Sequence, residues 1–511
     1  MKIIENIIEA FSPKAALKRE VTTALLHDVK NYTQSAASTD KQWSKKRFST
    51  PNSVKTDIED NLSVLHGRGR YEYQSNAIAR GIVDKIKTNA VGSGLQMNPN
   101  IDKIKLGLTD EQVTDWQRKT RAEFELWANS KDCDAGRRLT FGQLQILVMS
   151  SALVNGDIFT ALPRNKRIGQ PYDLRVQLIE ADRVRTPSDK SMDSSIVGGI
   201  KMGPLGESIS AFIHNGFEYD YGIDGDKYVE VPFYGNNGNP TLLQFAQDWE
   251  RPNQVRGVTV FAPIMEVLAQ IDRYNKAELM ANIVSSFFTV VIETERKAPL
   301  ANGVPLDQQQ DLDDTEIALG SGNIIQAREG ESFKPINPAR TNSSFGSVME
   351  NFIRLVGIGS GLPYEVLISH FQSSYSAARG ALQEAWKMYS MRRTWLIDSF
   401  CQPIYELWLT EAVAKGRVEA KGFFDDPAIK KAWCGATWIG PAQTSLNPAQ
   451  EANANKINLE NGLDSRANII QRTIGVNPDT MFDTVVREHK QRVEAGLTEN
   501  LNVTEVVIDE E

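Results

Sequence analysis

Thiols are scarce in this chain. Its 511 residues include three cysteines, Cys133, Cys401 and Cys434, none of them in a CxxC pair. That pattern argues against a disulfide framework and suits a reducing compartment. Histidine is also sparse: His27, His66, His214, His370 and His489 are scattered, with no HxxH spacing and no Cys cluster, so no metal site is expected. There is no GxxxxGK[ST] run, in which backbone N–H groups and one Lys surround phosphates. No GxSxG nucleophile elbow occurs either. The most apolar stretch, LMANIVSSFFTVVI at 279–292, has 14 residues with Asn282 and two serines inside, whereas a membrane span needs roughly 20. It reads as a buried or subunit-packed helix running into a strand. Positive charge is lacking too. The formal net charge of −8 disfavours a strong, sequence-independent grip on duplex DNA, though not contact with it.

What is present is the composition of a soluble protein, 41% hydrophobic and 24% charged, with length for two to four domains. The opening MKIIENIIEAF places Ile3, Ile4, Ile7, Ile8 and Phe11 on one helical face, which predicts a docking helix rather than a signal peptide. Residues 31–60 are polar and weakly periodic, an irregular arm. A helix is expected from Tyr71 to Ala90, with Ala77, Ile78, Gly81, Ile82, Lys85 and Ile86 on its buried face. Thr109 caps a helix reaching about Asn129, and another covers Thr140 to Asn155. From Asp157 to about Gln247 short β-branched runs separated by glycine-rich turns predict a β-rich unit. Pro263 suits the first turn of a long helix with Ile264, Val267, Leu268, Ile271 and Tyr274 as its apolar stripe. Strands and loops fill 289–337, and a helix follows over 343–356. A helical run from Ser376 to Lys415 should kink at Pro403, which lacks an N–H and clashes with the carbonyl four residues back. Short strands around WCGATWIG, further helices and the acidic tail TEVVIDEE complete the chain.

The stretch GIGSGLPYEVLISHFQSSYSAARGALQEAW, 357–386, carries glycines at 357, 359 and 361. A Rossmann turn needs a preceding strand and a helix opening at the third glycine; here a helix precedes and Leu362-Pro363 follows. Gly357, Gly359, Gly361 and Pro363 therefore read as a hinge. His370 reads as an exposed polar loop residue rather than a base. The aromatic residues Trp386, Tyr389, Trp395, Phe400, Tyr405 and Trp408 read as core and subunit-interface filler rather than a base-stacking platform.

Five stretches in order resemble the lambda-type portal proteins of tailed phages. They are YQSNAIARGIVDKIKTNAVGSGLQM, ending at Met97; LWANSKDCDAGRRLTFGQLQILVMSSALVNGDIF, 126–159; LIEADRV, 178–184; RPNQVRGVTVFAPIMEVLAQIDRYNKAELMA, 251–281; and the 357–386 stretch. Each is weak alone, and their order is the specific signal. The chain departs from the family pattern at His370, where the family usually has Asp, and at Ser374, where it has Asn before the Tyr.

The resemblance implies an α+β portal fold assembled as a ring, usually a dodecamer, at one capsid vertex. The implied parts are an N-terminal helix and arm (1–60), wing (61–250), first stem helix (251–288), clip (289–337), second stem helix (338–360) and tunnel loop (361–375). A long kinked wing helix with short strands (376–445) and a crown with acidic tail (446–511) complete them. Double-stranded DNA would pass through the ring. Ser369, His370, Phe371, Gln372, Ser373 and Ser374 would face it as the tunnel loop, and Arg273 and Lys276 on the stem would centre it. Outward-facing or inter-subunit ion pairs are the other use for those two cations. The implied partners are the terminase large subunit, a head-completion or adaptor protein, the major capsid protein and scaffold, with no membrane, cofactor or catalytic residue. The expected location is the virion, after assembly in the host cytoplasm. A carboxylate-dependent DNA-processing enzyme and a non-ring structural adaptor are the competing classes.

Overall fold

The computed structural model describes residues 53–216, 227–246, 248–286, 290–294, 331–335, 344–370, 375–443 and 447–497. They belong to two compact units divided after Asn61. In the first, Ser53 caps the helical turn Val54–Asp57, its hydroxyl accepting from the Thr56 N–H at 3.2 Å. The expected N-terminal docking helix and most of the arm lie outside the described residues.

The second unit opens with α1 (Leu62–Ser75) and α2 (Ala77–Ala90), where the sequence pattern predicts one helix from Tyr71. The break has a local cause. Asn76 Oδ1 accepts from the N–H groups of Ile78 and Ala79, at 3.0 and 3.3 Å, and so caps α2. The buried face of α2 is also rotated from the expected one: Ala79, Ile82, Val83, Ile86 and Ala90 are buried, while Ala77 is exposed.

After β1 (Gln96–Pro99) and the short α3 (Lys103–Leu106) come α4 (Asp110–Ala128) and α5 (Phe141–Asn155). Both start at a reciprocal cap, Thr109 with Gln112 and Thr140 with Gln143. In each, the Gln side chain accepts from the Thr N–H at 3.0 Å while the Thr hydroxyl accepts from the Gln N–H.

The β-rich region holds β2 (Asp157–Ala161), β3 (Gln177–Glu180), β4 (Ile196–Val197), β5 (Ile200–Met202), β6 (Ser208–His214), β7 (Tyr228–Pro232) and β8 (Leu242–Ala246). They form two antiparallel sheets, ordered β3-β2-β8 and β4-β5-β6-β7. Phe159, Ile179, Ile200, Ala211 and Leu242 pack into one small core fed by both sheets. β8, which pairs Phe245 with Ile158, closes the segment expected to be β-rich.

The long helix α6 spans Met265–Ser286. Antiparallel β9 (Val290–Thr294) and β10 (Glu331–Pro335) lie inside the segment read as strands and loops. Then follow α7 (Phe345–Ser360), α8 (Tyr364–Ile368), α9 (Tyr375–Leu396) and α10 (Gln402–Ala414). A π-helical segment, Ile397–Cys401, joins α9 to α10. It includes Ser399, whose carbonyl Pro403 would meet in a regular helix, so the widened turn absorbs the predicted kink. α11 (Pro427–Trp433) precedes β11 (Ala436–Ile439), which returns to pair antiparallel with β1. The polar helices α12 (Pro448–Glu460), α13 (Arg466–Thr473) and α14 (Pro478–Glu494) end the described chain.

The main core is aromatic. Phe141 stacks on Phe400 at 5.6 Å, and Phe124 meets Trp408 edge-on at 5.0 Å. Tyr389, Phe400, Tyr405 and Trp408 are buried in this core, and Trp386 and Trp395 pack against it. All three thiols are buried, and burial pushes Cys133 and Cys434 up to about 12. No described helix is long and apolar enough to cross a membrane.

Candidate functional site

Three of the five motif stretches, far apart in sequence, meet at one buried ion pair that anchors the root of α6. Asp157, the first residue of β2, and Arg256, nine residues before α6, are almost completely buried. Arg256 Nε donates to Asp157 Oδ2 at 2.6 Å and its Nη2 to Oδ1 at 3.0 Å. The same guanidinium donates to the carbonyls of Val184, Gly198 and Ala181 at 2.7–2.9 Å. Asp157 Oδ2 also accepts from the Gln244 amide and the Gly257 N–H. Burial alone would raise the Asp157 carboxyl, but the Arg256 charge and hydrogen bonds outweigh it and hold the group below its ordinary value. Gly156 and Gly257 touch here. A Cβ on Gly257 would lie 2.1 Å from the Gly156 carbonyl oxygen, so neither chain could approach with a side chain present.

His66 on α1 joins this network. Burial and the Arg256 charge lower it to about 4, so the ring is neutral near pH 7 and donates Nδ1–H to Asp182 Oδ1 at 2.9 Å. The Asp157 charge favours a charged ring but is outweighed, and the Arg70 charge, paired with Asp182, adds to the lowering. Nothing in the separate Gly156-Asp157, Ala181–Val184 and Arg256-Gly257 segments signals on its own that they meet. The usable signal was an acid and a base, each beside a glycine, inside apolar runs.

From this root α6 runs antiparallel to α7. Ile264, just before α6, faces Gly359 of α7, and further along Tyr274 stacks on Phe345 at 5.3 Å. Ile264, Leu268 and Ile271 are buried, as the apolar stripe requires. Past Tyr274 the helix stands away from that core. Leu279 and Met280 are about 60% exposed there, and on α7 Leu355 and Ile358 are 52% and 80% exposed. Arg273 and Lys276 are both exposed on α6, and neither makes an ion pair among the described residues.

The GxGxG stretch is not a loop. α7 continues through Ser360, four residues beyond the end expected from local pattern, so Gly357 and Gly359 are helical. Both are sites of close approach: a Cβ would lie 2.6 Å from the Leu362 carbonyl oxygen at Gly357 and 2.3 Å from Ile264 Cγ2 at Gly359. Gly361 alone has the left-handed backbone, φ 75°, and closes α7 by donating to the Ile358 carbonyl. Pro363 then starts α8. That helix ends at Ser369, whose φ of 54° is unusual for a residue with a Cβ. Lys85 Nζ of α2 donates to Ser369 Oγ at 2.5 Å, a contact the sequence did not signal. His370 is exposed, its N–H bonded to the Glu365 carbonyl, while Phe371, Gln372, Ser373 and Ser374 lie outside the described residues. Lys85 and Ser369 thus fix one end of the 370–374 segment to the α2 face, and α9 takes up the other end at Tyr375. Among the described residues no three His, Cys, Asp or Glu side chains are grouped to hold a metal ion.

Residues 40–393 match the family model of the phage portal proteins, lambda family. The chain is 22% identical over 448 residues to the portal protein of Escherichia phage N15, covering 83% of each chain. It is 21% identical over 467 residues to portal protein B of Escherichia phage lambda, covering 87% of each. Among solved structures it is similar to a chain of the native gene transfer agent (GTA) virion, with TM-score 0.41, 12% identity, and coverage of 86% of this chain and 94% of that one. A chain from the neck of the empty GTA particle gives TM-score 0.43 at 12% identity, again covering 86% and 94%. The family match takes in the Asp157–Arg256 network, the α6–α7 pair and the 357–386 stretch, and on it this chain belongs to the lambda family of phage portal proteins.

Proposed function

We propose that copies of this chain, twelve in the usual family arrangement, close into a ring at one capsid vertex and that double-stranded DNA passes along its axis. Family membership over residues 40–393 is the observation that carries this reading. The exposed apolar residues of α6 and α7 support it, since a stem helix in a ring has neighbouring copies to pack against.

In this reading 251–288 and 338–360 form the stem, 289–337 the clip that meets the terminase large subunit, 61–250 and 376–445 the wing, and 446–511 the crown and tail. A head-completion or adaptor protein replaces the motor once the genome is packaged, and the major capsid protein and scaffold surround the ring. Assembly in the host cytoplasm leaves the protein in the virion. Residues 369–374, Ser, His, Phe, Gln, Ser and Ser, form the tunnel loop, offering neutral contacts in place of a grip. Gly361 and Pro363 are the joint between stem and loop, with Gly357 and Gly359 as its packing faces. Arg273 and Lys276 supply a sparse cationic ring that centres the duplex, while the net charge of −8 per copy keeps phosphates from adhering. The chain breaks no bond.

The test combines a loop deletion with a packaging assay. Removing 370–374 should leave ring assembly intact and reduce packaged or retained DNA; loss of rings would show that the segment is a packing element. Divalent-metal-dependent cleavage of DNA by the purified ring would overturn the non-enzymatic part of the reading.

A further inference from the structure

A cleft of about 590 Å³ lies between α3, α4, α11 and the 416–422 turn that precedes α11, away in sequence from the α6–α7 pair. Its volume falls in the range typical of ligand sites, roughly 300–1,000 Å³. Trp116 and Trp433 pack at 4.9 Å in its wall. Four cations line it, Lys105, Lys119, Arg417 and Lys421, against two acids, Asp115 and Glu419. Lys119 is held by Asp115 and Arg417 by Glu123, which leaves Lys105 and Lys421 exposed with no ion pair among the described residues. An aromatic wall under unneutralised lysines suits a peptide that is both aliphatic and acidic.

The chain itself contains such a peptide, and the fold delivers it nearby. Residues 498–511, TENLNVTEVVIDEE, carry five acids, no base, and the aliphatic residues Leu501, Val503, Val506, Val507 and Ile508. α14 runs antiparallel to α4: Arg121 pairs with Asp479 at 3.0 Å, and Arg118, earlier on α4, pairs with Asp483, later on α14. α14 therefore ends toward the N-terminal end of α4, where Lys105, Trp116 and the cleft are found. Fourteen extended residues reach about 46–50 Å, ample to pass around a helix about 10 Å across. In an extended segment Val506 and Ile508 share one face and can meet the tryptophans while the flanking acids meet the lysines.

We propose that this cleft binds an extended acidic–aliphatic peptide and that its occupant is the chain's own 498–511 segment. The docked segment latches α14 against α4 and covers the tryptophan pair.

The test uses a fluorescently labelled peptide of sequence 498–511 and the chain truncated after Leu497. Saturable binding is expected at low salt, weakened about tenfold or more by Lys105→Glu with Lys421→Glu and retained by Lys105→Arg with Lys421→Arg, since each lost ion pair is salt-sensitive. The untruncated chain should bind the peptide about tenfold more weakly, because its own tail competes. No binding, or equal binding to the charge-reversed variant, overturns the cleft assignment. Equal binding to truncated and untruncated chains overturns the occupant. A measurement free of mutations uses carbodiimide cross-linking of a mixture of isotopically light and heavy chains. Links from Glu505, Asp509, Glu510 or Glu511 to Lys105 or Lys421 within one chain support the latch. Mixed light–heavy links at the frequency of random pairing, half of all links in an equal mixture, overturn it in favour of a second copy's tail.

Discussion

Arg256→Met tests the buried network directly. Methionine keeps much of the arginine's apolar volume but removes both hydrogen bonds to Asp157 and the donors to Val184, Gly198 and Ala181. The Asp157 carboxylate, with no exposed surface, is then left with Gln244 and the Gly257 N–H as neutral donors. Breaking a buried pair from one side costs about 3–5 kcal/mol, because the surviving charge remains desolvated. Arg256→Lys should fall between, since an ammonium restores charge but cannot serve two carboxylate oxygens and three carbonyls together. The double variant Asp157→Leu/Arg256→Met should be less destabilised than the two single changes sum to, because no orphan charge remains. Hydrogen exchange of the β2 and β3 amides reads the effect locally, with a hundred-fold or greater loss of protection corresponding to about 3 kcal/mol. An Arg256→Met protein within about 1 kcal/mol of the parent would refute the reasoning.

His66 gives a pH dependence of defined sign. Its folded value of about 4 lies below the unfolded value of 6.5, so the unfolded chain binds more protons between them and stability falls as pH drops from 6.5 toward 4, by about 3 kcal/mol at most. Urea midpoints across that window should show the fall, and His66→Gln should flatten it; an unchanged slope would place the titration elsewhere. Gly357→Ala should destabilise although alanine is the better helix former by about 1 kcal/mol, because the obstacle is the Leu362 backbone carbonyl, which cannot rotate away. A thermal midpoint raised by that substitution would contradict the close-packing role. Arg273→Ala with Lys276→Ala should leave assembly unchanged and lower the weak DNA binding of rings at low salt, measured by filter retention. Tight, steeply salt-dependent binding by the parent ring would contradict a conduit that lets DNA slide.

Legibility followed the range of the interactions. The cap at Thr109 and the interruption before Pro403 depend on residues within four positions, and each is readable from the sequence. The break at Asn76 is equally local, but the apolar periodicity on both sides of the capping asparagine masked it. Local pattern ends α7 at 356 because glycine ordinarily weakens a helix, whereas the stem span implied by the resemblance runs to 360. Gly357 and Gly359 are required by Leu362 and Ile264, which only the folded chain brings near. The Asp157–Arg256 pair joins residues 99 positions apart. In the 357–386 stretch, the Lys85–Ser369 contact joins residues 284 positions apart, and only the fold brings them together.

The central claim is that copies close around a channel. Electron cryomicroscopy of the purified assembly, with its mass measured in the same preparation, tests this most directly. The account predicts a closed ring, near 0.68 MDa for twelve 57.0 kDa copies, with α6 beside an axial passage wide enough for duplex DNA. A stable 57.0 kDa monomer, or a particle with no passage through its centre, would contradict it.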